Sequence, residues 1–277
     1  MAYFSLSDGE KIYYEDTCTG RSTIIMLHGW ISTHREFAPI LRAVSKTARC
    51  IICDQRGHGN SKSVTGDHVT LDTLAGDLNE LIAGLDLRDI TLLGWSMGAG
   101  VILKYVSLYG CGALRQIVLC DMSPRQINDA DWSLGLFQGK LTREFAESTA
   151  GNDFYDLYRQ FAVGAIPQLA RLPDPLLRIV LKRRLNACAE GVAISLSDSI
   201  KEADLRPCVE QISVPVHYFY AEPGSLFSPE LADWYREHIS APFFSKAFHK
   251  STHMLMREHP YQFAREVIRV LDNKTIT

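Results

Sequence analysis

The chain has 277 residues, of which 46% are hydrophobic and 22% are charged, a composition typical of a globular protein and unlike that of a disordered one. The 29 lysines and arginines and the 32 aspartates and glutamates give a formal net charge of −3, which argues against a nucleic-acid binder that neutralises many phosphates. We find no run of about 18 apolar residues that would insert into a membrane and no basic and apolar N-terminal pattern of a secretory signal.

The seven cysteines are an odd number in a chain of this length, which argues against a disulfide framework and favours a reducing compartment. We therefore expect a cytoplasmic protein. Cys50 and Cys53 have C-x-x-C spacing, but they lie in an apolar run that predicts a buried strand, on which residues three apart point to opposite faces. Because no second pair of cysteines or histidines completes a zinc set, we expect no metal there.

Strand and helix patterns alternate along the first part of the chain. Two short strands are predicted at 4–7 and 11–18, apolar strands at 22–29, 49–54, 89–94 and 114–121, and helices at 34–46, 70–84 and 98–109. Apolar strands that alternate with helices indicate an α/β fold, with a mostly parallel central sheet covered by helices on both faces.

The pattern changes at Ser123-Pro124. Helical segments are predicted at 141–148, 153–163, 175–187 and 191–203, followed by strands at 212–222 and 241–248 and helices at 228–238 and 260–271. We therefore predict a core formed by residues 1–123 and 208–277, with residues 124–207 inserted as a helical cap.

Gly94-Trp95-Ser96-Met97-Gly98 fits the motif G-x-S-x-G. The motif follows an apolar strand and precedes a helical run, where a tight turn would hold the Ser96 hydroxyl exposed at the start of the helix. The neighbouring glycines let the backbone pass closely at such a turn. Ser96 is therefore a candidate nucleophile; the alternative is an ordinary strand-to-helix turn in which Ser96 is only a cap.

A serine hydroxyl is a weak nucleophile near neutral pH and needs a base. Among the nine histidines, position favours His253, which lies between the strand that ends at Phe248 and the final helix. Ligands bind beyond the carboxyl ends of strands in open α/β sheets. His249 is the main competitor, whereas His28 is expected to pack under a loop.

Four blocks of sequence resemble the α/β-hydrolase family and together span nearly the whole chain. They are Leu27–Trp30, Asp54–Ser61, Gly94–Gly98, and His253 with Glu258-His259-Pro260. Within that family the chain looks like the capped members of esterase or lipolytic type.

The resemblance implies that Ser96 is the nucleophile and His253 the base. It also implies that the backbone amides of Met97 and Trp30 bind the oxyanion, and that no cofactor is needed. Asp54 and Arg56 are expected to brace a loop rather than to take part in the chemistry.

The acid that orients the base departs from the common pattern of the family. The loop that usually holds it corresponds to residues 221–227, where no aspartate occurs and Gly224 stands at the expected position. Asp121, at the end of the strand 114–121, and Glu222 are the available carboxylates, and either could orient the second ring nitrogen of a histidine. We favour Asp121, although Asp-x-Ser-Pro also suits an ordinary turn.

These features predict a serine hydrolase that cleaves a small or medium apolar ester through an acyl-enzyme, with neither nucleic acid nor membrane insertion. Two alternatives remain: a non-hydrolytic or C–C bond-cleaving enzyme of the same fold, and a ligand-binding protein that has lost turnover. The basic run Lys182–Arg184 is expected to be a solvated helix face. The aromatic residues of the insert should form the core of the cap, with some lining a pocket: Trp132, Phe137, Phe145, Phe154, Tyr155, Tyr158 and Phe161.

Overall fold

The central sheet follows the predicted alternation of strands and helices. A computed structural model describes residues 2–148, 153–224 and 226–273. Its strands are β1 (Ala2–Ser5), β2 (Lys11–Asp16), β3 (Ser22–Leu27), β4 (Ala48–Cys53), β5 (Ile90–Trp95), β6 (Leu114–Cys120), β7 (Val216–Gly224) and β8 (Phe243–Thr252). They form one sheet in the order β1-β2-β4-β3-β5-β6-β7-β8. β1 and β2 pair antiparallel, as do β2 and β4, and the remaining pairs are parallel.

Helices cover both faces of this sheet. They are α1 (Ala38–Val44), α2 (Leu71–Gly84), α3 (Met97–Tyr109), α4 (Arg143–Ser148), α5 (Phe154–Ala165), α6 (Asp174–Leu185), α7 (Glu190–Glu202), α8 (Arg206–Val209), α9 (Leu231–His238), α10 (Leu255–Glu258) and α11 (Pro260–Leu271). Alternate residues of β3 show the two layers: Ile24 packs in the cluster that holds α1 and α11, and Ile25 in the cluster that holds α2, α3 and α9. The predicted fold class is confirmed. No helix among the described residues is long and apolar enough to cross a bilayer.

The two cysteines of the C-x-x-C spacing lie on opposite faces of β4. Cys50 belongs to the apolar cluster around α1 and α11, and Cys53 belongs to the other one. Burial raises the pKa of each thiol to about 12. Both side chains are therefore neutral, apolar parts of the core, which is how free cysteines commonly behave.

Several predicted element boundaries differ from the structure. The helix expected at 34–46 is a short 3-10 turn at His34–Phe37 followed by α1, which has proline in its first turn, a position where proline starts a helix. Strands β7 and β8 run past their predicted ends because they pair with each other: Ala221 lies opposite Phe248 and Gly224 opposite Thr252. Such pairing depends on a distant segment and leaves no local signal.

The segment between β6 and β7 contains α4 to α8 and, in its described part, only isolated β-bridges. Its two ends lie side by side. The Leu205 amide donates to the Pro124 carbonyl at 2.8 Å, and the backbones of Arg125 and Asp204 form an isolated antiparallel β-bridge. Residues 149–152 of the predicted insert lie outside the described residues. The division into a core and a cap at 124–207 stays a prediction. The contact between the two ends of the segment supports it.

Candidate active site

Ser96 lies on a strained turn between β5 and α3. Its φ of 54° and ψ of −125° belong to a region that non-glycine residues rarely adopt and that often marks functional sites. The Ser96 amide donates to the Cys120 carbonyl at 2.9 Å, which ties the turn to the end of β6. A Cβ atom added to Gly98 would lie 2.2 Å from the Leu27 carbonyl oxygen. The flanking glycines are therefore required for the close packing of this turn.

We expect Gly98→Ala to lower the free energy of unfolding by about 1–3 kcal/mol, because the added methyl group overpacks against rigid backbone. Gly112→Ala is the matched control, since a Cβ atom there would meet nothing within 4 Å. Urea unfolding of both variants measures the difference. Equal stability of the two would show that the turn relaxes without cost.

His253 and Asp121 form a buried pair at the carboxyl edge of the sheet. His253 Nδ1 lies 2.6 Å from Asp121 Oδ2, and the two side chains are 2% and 0% exposed. The Ala221 amide donates to Asp121 Oδ1 at 3.3 Å, and the Trp95 indole donates to the His253 carbonyl at 2.8 Å. A neutral imidazole that donates from Nδ1 keeps Nε2 as its acceptor. Nε2 is buried and has no hydrogen-bond partner among the described residues.

Strand order explains why these residues meet. Ser96 follows β5, Asp121 follows β6 and His253 follows β8. β5, β6, β7 and β8 are parallel neighbours in the sheet, so their carboxyl ends lie along one edge, where ligands bind in open α/β sheets. Asp121 has a φ of 50°, and its amide donates to the Phe219 carbonyl at 2.8 Å. The strand end therefore turns at the position that meets the histidine.

Glu222, the other candidate acid, points elsewhere. It lies within β7, and its Oε2 is 2.9 Å from Nδ1 of His249. These side chains are 39% and 76% exposed, so the pair is a solvated surface contact. Of the two carboxylates weighed from the sequence, the structure brings Asp121 to His253 and pairs Glu222 with the competing histidine.

The segment that carries His253 is fixed by a carboxylate with no role predicted from the sequence. Glu258 in α10 accepts hydrogen bonds from the Thr252 amide at 2.6 Å, from the Thr252 hydroxyl at 2.9 Å and from the Ser251 hydroxyl at 2.9 Å. A carboxylate that accepts several such bonds holds a turn firmly. Glu258 therefore positions the residue immediately before His253.

The two predicted oxyanion donors lie beside Ser96. Met97 is the first residue of α3, where backbone amides have no partner within the helix. The segment before Trp30 passes close to Ser96, since a Cβ atom on Gly29 would lie 3.0 Å from the Ser96 Cβ. The Trp30 indole donates to the Ala193 carbonyl at 2.9 Å. Trp30 is thus fixed by α7 of the insert, and its role as an oxyanion donor stays a prediction.

The loop after β4 is braced by Asp54, which is fully buried. Asp54 accepts from the amides of His34 and Asn60 at 2.8 Å each. Burial acts to raise the pKa of Asp54, but these bonds and the His34 ring outweigh it and hold the pKa below its usual range. Arg56 makes two bonds to Asp77, at 2.9 and 2.6 Å. Neither residue lines the cavities at Ser96.

We expect stability to fall between pH 7 and 5. Burial lowers the pKa of His58 to about 3 and that of His217 to about 4. The unfolded chain takes up protons below about pH 6.5, whereas both folded histidines stay neutral until much lower pH. Each site therefore costs up to about 2 kcal/mol of folding free energy over that interval. Urea unfolding across the pH range measures this, and His217→Gln should make the dependence shallower. An equally steep dependence in that variant would contradict the assignment.

A large cavity opens from Ser96 beneath the insert. Its volume is about 450 Å³, a size suited to a small-molecule site. Its wall is mainly apolar, with a few polar groups toward Gln126, Gln160 and Lys201. Four of the insert's aromatic residues line it, namely Phe137, Phe145, Phe154 and Phe161, whereas Trp132 and Tyr158 are buried in the core. More of these aromatic residues therefore line the cavity, and fewer form core, than the sequence predicted.

Comparison with known proteins identifies the family. A sequence model of the alpha/beta hydrolase fold matches residues 22–260, and the chain belongs to that family. A non-heme chloroperoxidase of Kitasatospora aureofaciens is 42% identical over 125 residues, which are 45% of this chain and 45% of that protein. The chain thus spans less than half the length of that relative.

Two further similarities cover most of the chain. A pimeloyl-[acyl-carrier protein] methyl ester esterase of Nitrosomonas europaea is 26% identical over 235 residues, which are 83% of this chain and 87% of that one. An esterase structure from Exiguobacterium antarcticum has a TM-score of 0.81 at 24% identity and covers 98% of both chains. The last similarity concerns the fold alone. These family relatives support a hydrolase.

Proposed function

We propose that this protein is a serine hydrolase of carboxylic esters, with Ser96 as nucleophile, His253 as base and Asp121 as the acid that orients it. One observation carries the proposal. The buried 2.6 Å contact between His253 Nδ1 and Asp121 Oδ2 leaves Nε2 without a partner in the described part of the chain, and His253 borders a cavity together with Ser96. A base held in this tautomer is what a serine nucleophile needs.

Acylation begins when the Ser96 hydroxyl attacks the ester carbonyl and His253 Nε2 takes its proton. The carbonyl oxygen becomes an oxyanion, which the amides of Met97 and Trp30 stabilise. Collapse of this intermediate breaks the bond to the alcohol, which leaves with the proton from Nε2. Asp121 stabilises the imidazolium that forms transiently.

Deacylation repeats these steps with water. Nε2 takes a proton from water as its oxygen attacks the acyl carbon, and the bond to Ser96 Oγ breaks. The proton returns from Nε2 to Oγ, and the carboxylic acid leaves. No cofactor takes part in this scheme.

The cavity favours a neutral ester with an apolar body of medium size. Leu136, Phe137 and Phe154 contribute apolar wall from the insert, and Leu226 and Phe227 contribute it from the segment after β7. Burial of apolar surface against such walls stabilises a bound ligand by about 25 cal/mol per Å². Lys201 and Asp198 both line the cavity and pair with each other at 2.8 Å, so the lysine's charge is balanced within the site.

A substrate panel tests the proposal directly. Esters, thioesters, lactones and amides of matched acyl groups should be hydrolysed in an order that places esters first. A fluorophosphonate probe should label the wild type at Ser96 and should not label Ser96→Ala. A folded wild-type protein that neither reacts with the probe nor hydrolyses any member of the panel would refute the proposal and favour a binding protein or another chemistry.

The chloroperoxidase relative supports a second candidate activity at the same serine. In place of water, hydrogen peroxide would attack the acyl-enzyme and release a peracid, and the peracid would oxidise a halide as it returns to the carboxylic acid. Formation of peracid from an ester and hydrogen peroxide, lost in Ser96→Ala, would establish this activity. Hydrolysis without peracid at high peroxide concentration would exclude it.

A further inference from the structure

A second, smaller cavity lies behind Ser96. The volume open to the centre of a water molecule is about 20 Å³. On the same measure, about 10–15 Å³ is enough to hold one water. Trp30, Ser96 and Phe161 line both this chamber and the large cavity. The Trp30 and Phe161 rings meet edge to face at 5.3 Å, so they form the partition between the two.

Both indoles at the chamber are already paired with backbone carbonyls. The Trp30 indole donates to the Ala193 carbonyl at 2.9 Å and the Trp95 indole to the His253 carbonyl at 2.8 Å. Burial raises the pKa of the Tyr158 hydroxyl to about 12 and outweighs Arg184, which acts to lower that pKa. Arg184 is half-buried and borders the chamber, so the expectation that the whole basic run is solvated is wrong for this residue.

Two fully buried polar atoms of the chamber wall have no hydrogen-bond partner among the described residues. Ser32 is 5% exposed and His253 2% exposed, and Ser32 Oγ and His253 Nε2 are both buried without a hydrogen bond there. Both residues line the chamber. Unpaired buried polar atoms are costly, and a buried water is stable where a cavity of sufficient size offers two to four polar partners.

The geometry points to this chamber as the binding site of the deacylating water, held between the Ser32 hydroxyl and His253 Nε2. The inference rests on the proposed function. Ser32 is a positioning residue: it orders the water, while Nε2 accepts the proton as the water oxygen bonds to the acyl carbon and the carbon–Oγ bond breaks. The chamber is too small for the body of an ester, which the large cavity takes.

Ser32→Ala tests the inference because it removes the hydroxyl and should slow deacylation alone. For a p-nitrophenyl ester, kcat/KM reports acylation, since no later step precedes release of p-nitrophenol. We expect kcat/KM to change less than twofold, and decay of the Ser96 acyl-enzyme, followed by intact mass after quenching, to slow about fivefold. With methanol added, the ratio of transfer to hydrolysis should rise, because the enlarged chamber no longer favours water.

Two further variants sharpen this experiment. Ala165→Val narrows the chamber from the α5 side and leaves the Ser32 hydroxyl intact. It should also slow decay of the acyl-enzyme. The inference can therefore be tested even if one of the two variants fails to fold. Ser107→Ala, near the end of α3 and about 16 Å along that helix from Ser96, is the control that should change neither rate.

The outcomes separate the inference from the proposed function. Unchanged acyl-enzyme decay and unchanged methanol partition in folded Ser32→Ala would overturn the chamber as the water site. A fall in kcat/KM that depends on acyl length would show instead that the chamber takes the acyl group. A wild type that forms no acyl-enzyme at Ser96 would refute the serine hydrolase itself.

Discussion

Asp121→Asn is expected to lower kcat for ester hydrolysis by about 10⁴-fold with little change in stability. The asparagine keeps the shape of the side chain, but its amide favours the wrong tautomer of His253, in which Nε2 carries the proton and cannot accept one from Ser96. The 2.6 Å contact in a fully buried site gives water no way to replace the lost charge. Steady-state kinetics on a p-nitrophenyl ester measure the effect.

Glu222→Gln is the matched control for this variant. It makes the same chemical change in a carboxylate that contacts His249 at 2.9 Å in a solvated position, so we expect activity within twofold of wild type. Full activity in Asp121→Asn together with a large loss in Glu222→Gln would reverse the assignment. Full activity in both would show that the base works without an orienting carboxylate.

The fold could be predicted from the sequence because its strongest signals are local. Parallel strands buried on both faces carry continuous apolar runs, and β3, β5 and β6 show such runs within six or seven residues of sequence. The turn at Ser96 can also be recognised in the sequence, since a tight strand-to-helix turn requires small residues at fixed offsets. These features need no knowledge of distant parts of the chain.

The acid of the site could not be settled in the same way. Asp121 and Glu222 both follow or end a predicted strand, and the choice between them depends on which side chain faces His253 across the sheet edge. The long pairing of β7 with β8 keeps Glu222 within a strand and directs it to His249. Only the register of two strands far apart in sequence contains that information.

Ser32 and Glu258 show a second limit. Neither residue type is unusual at its position. Ser32 is of interest because its hydroxyl has no hydrogen-bond partner in the described part of the chain and because it borders a cavity lined by α5, β5 and the segment after β8. Glu258 matters because its carboxylate reaches back to Thr252. Both properties arise from packing between segments that are distant in sequence, so they are visible only in the folded protein.

Ser96→Ala and His253→Ala are each expected to lower kcat by about 10⁵- to 10⁶-fold, and the double variant should lose no more than either single one. Residues that act as one unit are strongly non-additive, since a base without its nucleophile, or a nucleophile without its base, contributes almost nothing. The 7% exposed Ser96 sits on a turn held by backbone bonds, so Ser96→Ala should fold normally and retain binding of an ester analogue. Steady-state rates of the three variants measure the coupling. Losses that add in the double variant would mean that Ser96 and His253 act independently.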